Sequence, residues 1–199
     1  MKSESIAFGV AGILFGLIAG WIIGTQQAAL APQPAQPTRQ AEQQPTSSPP
    51  ALDEAKVKAF RSVAEKDPAN AESRIQLGNL YFDAERYDQA IEWYAQALKL
   101  APKNVDVSTD LGVSYYYSNQ PDKALAQFDQ SLKLDPKHTK TILNVGVVKA
   151  FAKQDLQGAQ AAWEQAIKIA PDSPEGQAAK KLLDSLRSAH PATGQKPGA

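Results

Sequence analysis

The sequence predicts an all-α fold, a solenoid of stacked helix-turn-helix units that follows a single transmembrane helix. Two observations predict it. Glycines recur with a period of 34 residues, at Gly78, Gly112 and Gly146, and a proline closes each unit. A fixed period of this length, with small residues and a terminal proline in constant positions, is typical of paired-helix repeats. The second observation is a run of 19 uncharged residues, 6–24, near the amino terminus.

Residues 6–24 have the length and composition of a membrane-spanning helix. As an α-helix the run extends over about 28 Å, close to the hydrocarbon thickness of a bilayer. Lys2 lies in the short flank 1–5, and after the run no charge appears until Arg39. Because positive charge favours the inside, the amino terminus is predicted in the cytoplasm and the rest of the chain outside it. The alternative is a signal peptide cleaved after Ala-Leu-Ala at 29–31.

Four glycines of this run recur every fourth residue and define a candidate surface for self-association. Small residues at this spacing let two membrane helices approach closely. The alternative is that glycine is simply frequent in membrane helices. The residues of this surface are Gly12, Gly16, Gly20 and Gly24.

Residues 25–50 and 189–199 are predicted to be disordered. The first segment contains six prolines, seven glutamines, two charged residues and no aromatic residue. Such a composition offers too little apolar surface to build a core, and its prolines favour an extended chain. The linker is therefore predicted to hold the folded part away from the membrane.

The composition predicts a protein without catalysis. With 21 basic and 21 acidic residues, the chain lacks the basic excess of nucleic-acid-binding proteins. The absence of cysteine excludes disulfides and thiol chemistry. The two histidines stand at no metal-ligand spacing, and His138 is interpreted as a solvated turn residue. No nucleophile or phosphate-loop motif occurs in the soluble part, so no catalytic, cofactor or metal site is predicted.

Residues 51–188 resemble an array of tetratricopeptide (TPR) repeats. The family's early tryptophan is missing, because Arg74 and Ser108 occupy its position. The matching residues are Leu77, Gly78, Tyr81, Ala90, Tyr94, Ala97 and Pro102 in the first unit, and Leu111, Gly112, Tyr115, Ala124, Phe128, Ser131 and Pro136 in the second. The resemblance implies a half-repeat helix at 52–67, repeats at 71–104, 105–138 and 139–173, and a capping helix at 174–188.

The third unit follows the pattern less closely. Lys149 replaces the tyrosine, and Ala159, Trp163 and Pro171 align only when one residue is inserted, in the turn at 153–158. In all units the small residues are predicted to let the two helices of a pair meet, and the aromatic residues to fill the space between pairs.

The resemblance implies a groove that binds a protein or peptide partner, because the first helix of each TPR pair lines the concave face. Tyr116 and Tyr117 are predicted not to be buried together, since adjacent helical residues lie about 100° apart. The alternative for Phe82 and Phe151 is packing against neighbouring helices. The groove positions are Ile75, Asn79, Phe82 and Asp83; Thr109, Asp110, Val113, Tyr116 and Tyr117; and Lys140, Leu143, Asn144, Val147 and Phe151.

One ligand of the family, the acidic carboxyl terminus of chaperones, is disfavoured by this sequence. The five positions of the clamp that binds it fall on Ile75, Asn79, Asp110, Lys140 and Asn144, and only Asn79 and Lys140 have the expected type. Ile75 removes a cation, and Asp110 adds a charge that repels a carboxylate.

The resemblance to small anchored TPR proteins thus implies a membrane-anchored scaffold or adaptor for protein–protein interaction, with its repeats on the periplasmic, extracytoplasmic face of a bacterial inner membrane. Two alternatives stay open. The layout of anchor and exported repeats looks like the TPR subunits of cytochrome c biogenesis, which hold a client polypeptide. The array could also stack on copies of itself as a structural scaffold.

Overall fold

The computed structural model describes residues 50–189, which form eight α-helices and no strand. The helices are α1 Glu54–Lys66, α2 Ala71–Asp83, α3 Tyr87–Leu100, α4 Val105–Tyr117, α5 Pro121–Leu134, α6 Thr139–Phe151, α7 Leu156–Ile169 and α8 Pro174–Ala189. The predicted all-α solenoid is confirmed for this part of the chain. None of these eight helices is long and apolar enough to cross a membrane.

The predictions for the amino-terminal segment and the tail concern residues outside the described range. They are the transmembrane helix at 6–24 with its glycine surface, the disordered linker up to residue 49, and the disordered tail from residue 190.

Asparagines and prolines mark the helix ends. Asn70 and Asn104 cap α2 and α4, because their side-chain oxygens accept hydrogen bonds from the backbone N–H groups of Ser73, at 2.8 Å, and Val107, at 3.1 Å. One residue beyond the C-cap of α1, α3, α5 and α7 stands a proline, which cannot continue a helix. These prolines are Pro68, Pro102, Pro136 and Pro171.

The third unit has a longer turn between its two helices. Three residues separate α2 from α3 and α4 from α5, whereas four, 152–155, separate α6 from α7. Each turn contains one non-glycine residue with a positive φ: Glu85 at 57°, Asn119 at 58° and Gln154 at 55°. The inserted residue therefore lies in the turn and leaves the two helices of the third pair intact.

Within each pair, the glycine of the first helix lies against an aromatic ring of the second. The contacts are Gly78 with Tyr94, Gly112 with Phe128 and Gly146 with Trp163. A Cβ atom at any of the three glycines would collide with the ring. Each ring thus fills the gap that the glycine leaves inside its own pair. Tyr94 and Phe128 also belong to core clusters that include residues of the next pair, as predicted for the space between pairs.

The core follows the stack of helices. One buried cluster joins α1 to α4 through residues such as Leu77, Tyr94 and Leu111. A second joins α6, α7 and α8 around Ile142 and Trp163. Between them, a smaller cluster contains Phe128, from α5. Each pair thus buries its apolar surface on its neighbours, as expected for a solenoid.

Candidate functional site

The first helices α2, α4 and α6 share one face that no other helix covers completely. Its residues stand six and two positions before the glycine and one and five positions after it. Positions at this spacing lie on one side of a helix, turned away from the glycine that packs on the second helix of the pair. All twelve side chains are half-buried or exposed. We call this the groove face: Glu72, Gln76, Asn79, Asp83, Asp106, Asp110, Val113, Tyr117, Lys140, Asn144, Val147 and Phe151.

Nine of the fourteen predicted groove residues belong to the groove face, and four lie at its border. Ile75, Phe82, Tyr116 and Leu143 are half-buried, and Ile75 and Phe82 pack against the first core cluster. The remaining one, Thr109, is fully buried and does not line the groove. Three residues of the groove face, Glu72, Gln76 and Asp106, were not predicted to line the groove. They can be identified in the sequence, because each stands the same number of positions from the repeated glycine as the other residues of the groove face.

Tyr117 belongs to a cluster of four aromatic rings. Its ring stacks on Tyr87, with centroids 5.0 Å apart, and meets the edge of Phe82 at 5.8 Å. The ring of Tyr116 lies 5.3 Å from that of Tyr117. Tyr117 is nevertheless 53% exposed, so it both joins the first two units and contributes to the groove face. Tyr87, at the start of α3, was not predicted.

Phe151 is the most exposed large apolar residue of the described part of the chain. It is 58% exposed, and no aromatic ring in that part stacks on it. Val147, one helical turn earlier, lies on the same face, as do Val113 and Tyr117 of α4. Val113 and Val147 are half-buried and also pack against core clusters. These four residues form an apolar patch on the carboxyl-terminal halves of α4 and α6, with Tyr117 and Phe151 as its exposed part.

The two residues that suit a carboxylate clamp each have a partner within the chain, but the partner of Asn79 uses its oxygen and not the N–H groups that would donate to a carboxylate. Asn79 Oδ1 accepts a hydrogen bond of 2.7 Å from the hydroxyl of Tyr94. Lys140 Nζ donates to Asp110 Oδ1 at 2.6 Å. Burial raises the pKa of Tyr94 well above its usual range, and the negative charges of Asp110 and Asp83 raise it further. The hydroxyl therefore stays protonated and holds Asn79 in place.

His138 is part of a hydrogen-bonded cluster between α4 and α6. The hydroxyls of Thr109 and Thr141, both fully buried, lie 2.6 Å apart. Nδ1 of His138 lies 2.7 Å from Thr141 Oγ1, and its Nε2 lies 3.1 Å from Asp106 Oδ1. Its side chain is 19% exposed, so the interpretation as a solvated turn residue is wrong. Thr109 and Asp106 come from the preceding unit, and no local sequence pattern reveals this contact.

The described residues contain no group of three histidine, cysteine or acidic side chains arranged to hold a metal ion. A cavity of about 450 Å³ adjoins the ring cluster and is lined by Tyr87, Tyr117 and Ser118 together with the turn before α3. It lies between two turns, beside the groove face, and its lining combines aromatic rings with carboxylates such as Asp88.

Family profiles match the first two units. A profile described as TPR repeat matches residues 78–118, and one described as tetratricopeptide repeat matches residues 106–138. A search of curated proteins finds no match.

Solved structures share the fold. The crystal structure of MamA is 22% identical, with a TM-score of 0.56, and the match covers 66% of this chain and 81% of MamA. The first TPR domain of human RPAP3 is 25% identical, with a TM-score of 0.54, over 60% of this chain and 91% of that domain. The first TPR of Spaghetti (RPAP3), bound to the HSP90 peptide SRMEEVD, has the same identity and TM-score, over 60% of this chain and 94% of its own.

Proposed function

Because the chain is a tetratricopeptide repeat protein, we propose that it is a scaffold or adaptor whose groove face binds a segment of a partner protein. The observation that carries the proposal is the apolar patch of Val113, Tyr117, Val147 and Phe151. Two of its four side chains are more than half exposed. Exposed large apolar residues grouped on one face are characteristic of protein interaction sites.

The physical role of the repeats is to present this face. Each first helix contributes one row of four side chains, and packing against the second helices fixes the distance between rows. A partner segment that spans several rows gains its affinity from a few buried anchors. Nothing in this role requires a catalytic group, and we propose that the chain acts without catalysis.

We further propose that the array is anchored in a membrane through residues 6–24 and works at the extracytoplasmic face. The support is the uncharged run itself, with Lys2 before it and no charge after it until Arg39. A linker of 26 residues, 25–50, would let the array reach partners away from the bilayer.

Phe151 offers the cleanest test of the groove face, because its ring makes no contact with another ring in the described part of the chain. A photo-crosslinking amino acid placed at Val147 should capture a partner in the cells that produce the protein. Phe151→Ala should lower the yield of that capture, because loss of a buried anchor weakens binding by about 1–3 kcal/mol. The helical content should stay unchanged.

The matched control places the crosslinker at Lys99, on the exposed side of α3. Capture of the same partner from Lys99 with equal yield would contradict the proposal. So would a capture at Val147 that does not respond to Phe151→Ala. Tyr117→Ala is a less selective test, because Tyr117 also contacts Phe82 and Tyr87.

A further inference from the structure

The groove face is acidic, although the chain as a whole carries no formal net charge. Four of its twelve side chains are carboxylates, Glu72, Asp83, Asp106 and Asp110, and one is a lysine. That lysine, Lys140, is ion-paired with Asp110 at 2.6 Å. The remaining charge that this face offers to a ligand is therefore negative.

The carboxylates lie on α2 and in the amino-terminal half of α4, whereas the apolar groups lie in the carboxyl-terminal halves of α4 and α6. The row from α2 is wholly polar: Glu72, Gln76, Asn79 and Asp83. A segment that lies across the three helices would thus meet carboxylates at one end and aromatic and aliphatic side chains at the other.

Asp83 is the carboxylate best placed to attract a ligand. Its side chain is exposed, and it makes no hydrogen bond or ion pair with any residue between 50 and 189. Its charge acts on the Tyr94 hydroxyl together with that of Asp110, and the pKa of Tyr94 rises partly for that reason. The fields of the two carboxylates therefore overlap beside Asn79, at the boundary between the acidic row and the apolar patch.

We propose that the occupant of the groove face is a cationic amphipathic segment of a partner protein. Its hydrophobic side chains cover the apolar patch, and its lysine or arginine side chains pair with Glu72 and Asp83. Charge complementarity favours this occupant, because opposite charges across an interface guide association and like charges oppose it. The inference rests on the proposed function and specifies the partner's chemistry.

An acidic segment fits the same face poorly. The HSP90 peptide bound to the RPAP3 domain, SRMEEVD, carries three acidic residues and one arginine. Here such a peptide would approach the carboxylates of Asp83 and Asp110, and the one cation of the groove face, Lys140, is already paired with Asp110.

The test is a selection from random displayed peptides on the full chain in phosphatidylcholine nanodiscs, with empty nanodiscs to remove lipid binders. We expect the enriched peptides to combine a positive net charge with large hydrophobic residues. The tightest one is then synthesised with a fluorescent label. Glu72→Gln combined with Asp83→Asn should weaken its binding on the order of 10-fold at low salt and reduce the effect of added salt.

The control pair, Glu92→Gln with Asp129→Asn, removes the same charge from exposed positions of α3 and α5 and should leave binding unchanged. Equal effects of the two pairs, or enrichment of acidic or uncharged peptides, would overturn the inference. If acidic peptides are enriched and Phe151→Ala abolishes their binding, the proposed function stands and only the charge inference fails. If no enriched peptide responds to Phe151→Ala, the proposed function itself fails, and the inference falls with it.

Discussion

Asn79 and Lys140 show that residue type alone does not define a binding site. Both have the type that a carboxylate clamp requires, yet Asn79 accepts a hydrogen bond from Tyr94 and Lys140 is paired with Asp110. Lys140 must give up part of its interaction with Asp110 before it can bind a ligand carboxylate, and this loss reduces the net gain. The Tyr94 hydroxyl uses only the oxygen of Asn79, so the pairing of Lys140 is what argues against a carboxylate clamp here.

Tyr94→Phe tests the role of this hydroxyl in stability. Phe128 occupies the same position in the second unit and is fully buried, so the ring itself should be tolerated. The variant loses one hydrogen bond, so its free energy of unfolding at neutral pH should be lower by about 1 kcal/mol. Urea unfolding of the full chain, followed by circular dichroism, measures the difference.

The same variant makes a prediction about alkaline pH. Burial raises the pKa of Tyr94 in the folded chain, whereas an unfolded tyrosine titrates near about 10. Above that pH the unfolded state loses this proton and the folded state keeps it, so the free energy of unfolding falls as the pH rises. The free energy of unfolding of Tyr94→Phe should fall less steeply between neutral pH and pH values above about 10. If the free energy of unfolding has the same pH dependence in both proteins, the assignment of Tyr94 as a buried, protonated hydroxyl is wrong.

The two helices of each pair pack closely because the first helix carries a glycine, which has no side chain, where it contacts the second. Gly112 faces the fully buried ring of Phe128. The ring lies in a core cluster formed by α4, α5 and α6, so little space is left for it to move away.

Gly112→Leu should therefore overpack this contact and lower the stability by about 1–3 kcal/mol or more. A glycine without a packing role would respond in the opposite way, because Gly112→Ala would then stabilise the helix. Ala126→Leu adds similar bulk at an exposed position of α5 and serves as the control. If thermal unfolding of Gly112→Leu matches that of the control, the assigned packing is wrong.

Much of the element structure could be predicted because it depends on local chemistry. Asn70 and Asn104 cap the helices that they precede, and Pro102 and Pro136 follow the helices that they end. Contacts between units could not be predicted in this way. Tyr87 and Tyr117 meet because two turns lie side by side, 30 residues apart in the chain, and no pattern within one unit encodes that contact.

The residues of the groove face also depend on contacts between units, so the sequence predicted them only in part. The resemblance to TPR repeats assigned the groove to the first helices and placed Ile75 in it, whereas Ile75 packs against the core cluster. Its equivalent in the second unit, Thr109, is fully buried. Which side of a helix stays open depends on how closely successive first helices pack, and that distance results from the whole stack.

At the scale of the whole molecule, α8 closes the array. It packs Ala179 and Leu183 against the preceding helices, and its outer surface carries the exposed Lys180, Lys181 and Asp184. A further helix pair would have to bury these charges without partners, which is costly. Extension of the solenoid by a second copy at this end is therefore disfavoured, and the groove face is the better candidate for an interaction surface.

The orientation of the molecule in the membrane is the last prediction. Lys2 is the cation beside the uncharged run, and Arg39 is the first charge after it, so the positive-inside rule favours export of residues 51–199. A reporter active only in the periplasm, fused after Ala199, should be active, and a cytoplasm-specific reporter at the same site should be inactive. The reverse result would contradict the topology. If the product is shorter by roughly 30 residues, the run is a signal peptide; export would stand, but the array would then lack its anchor.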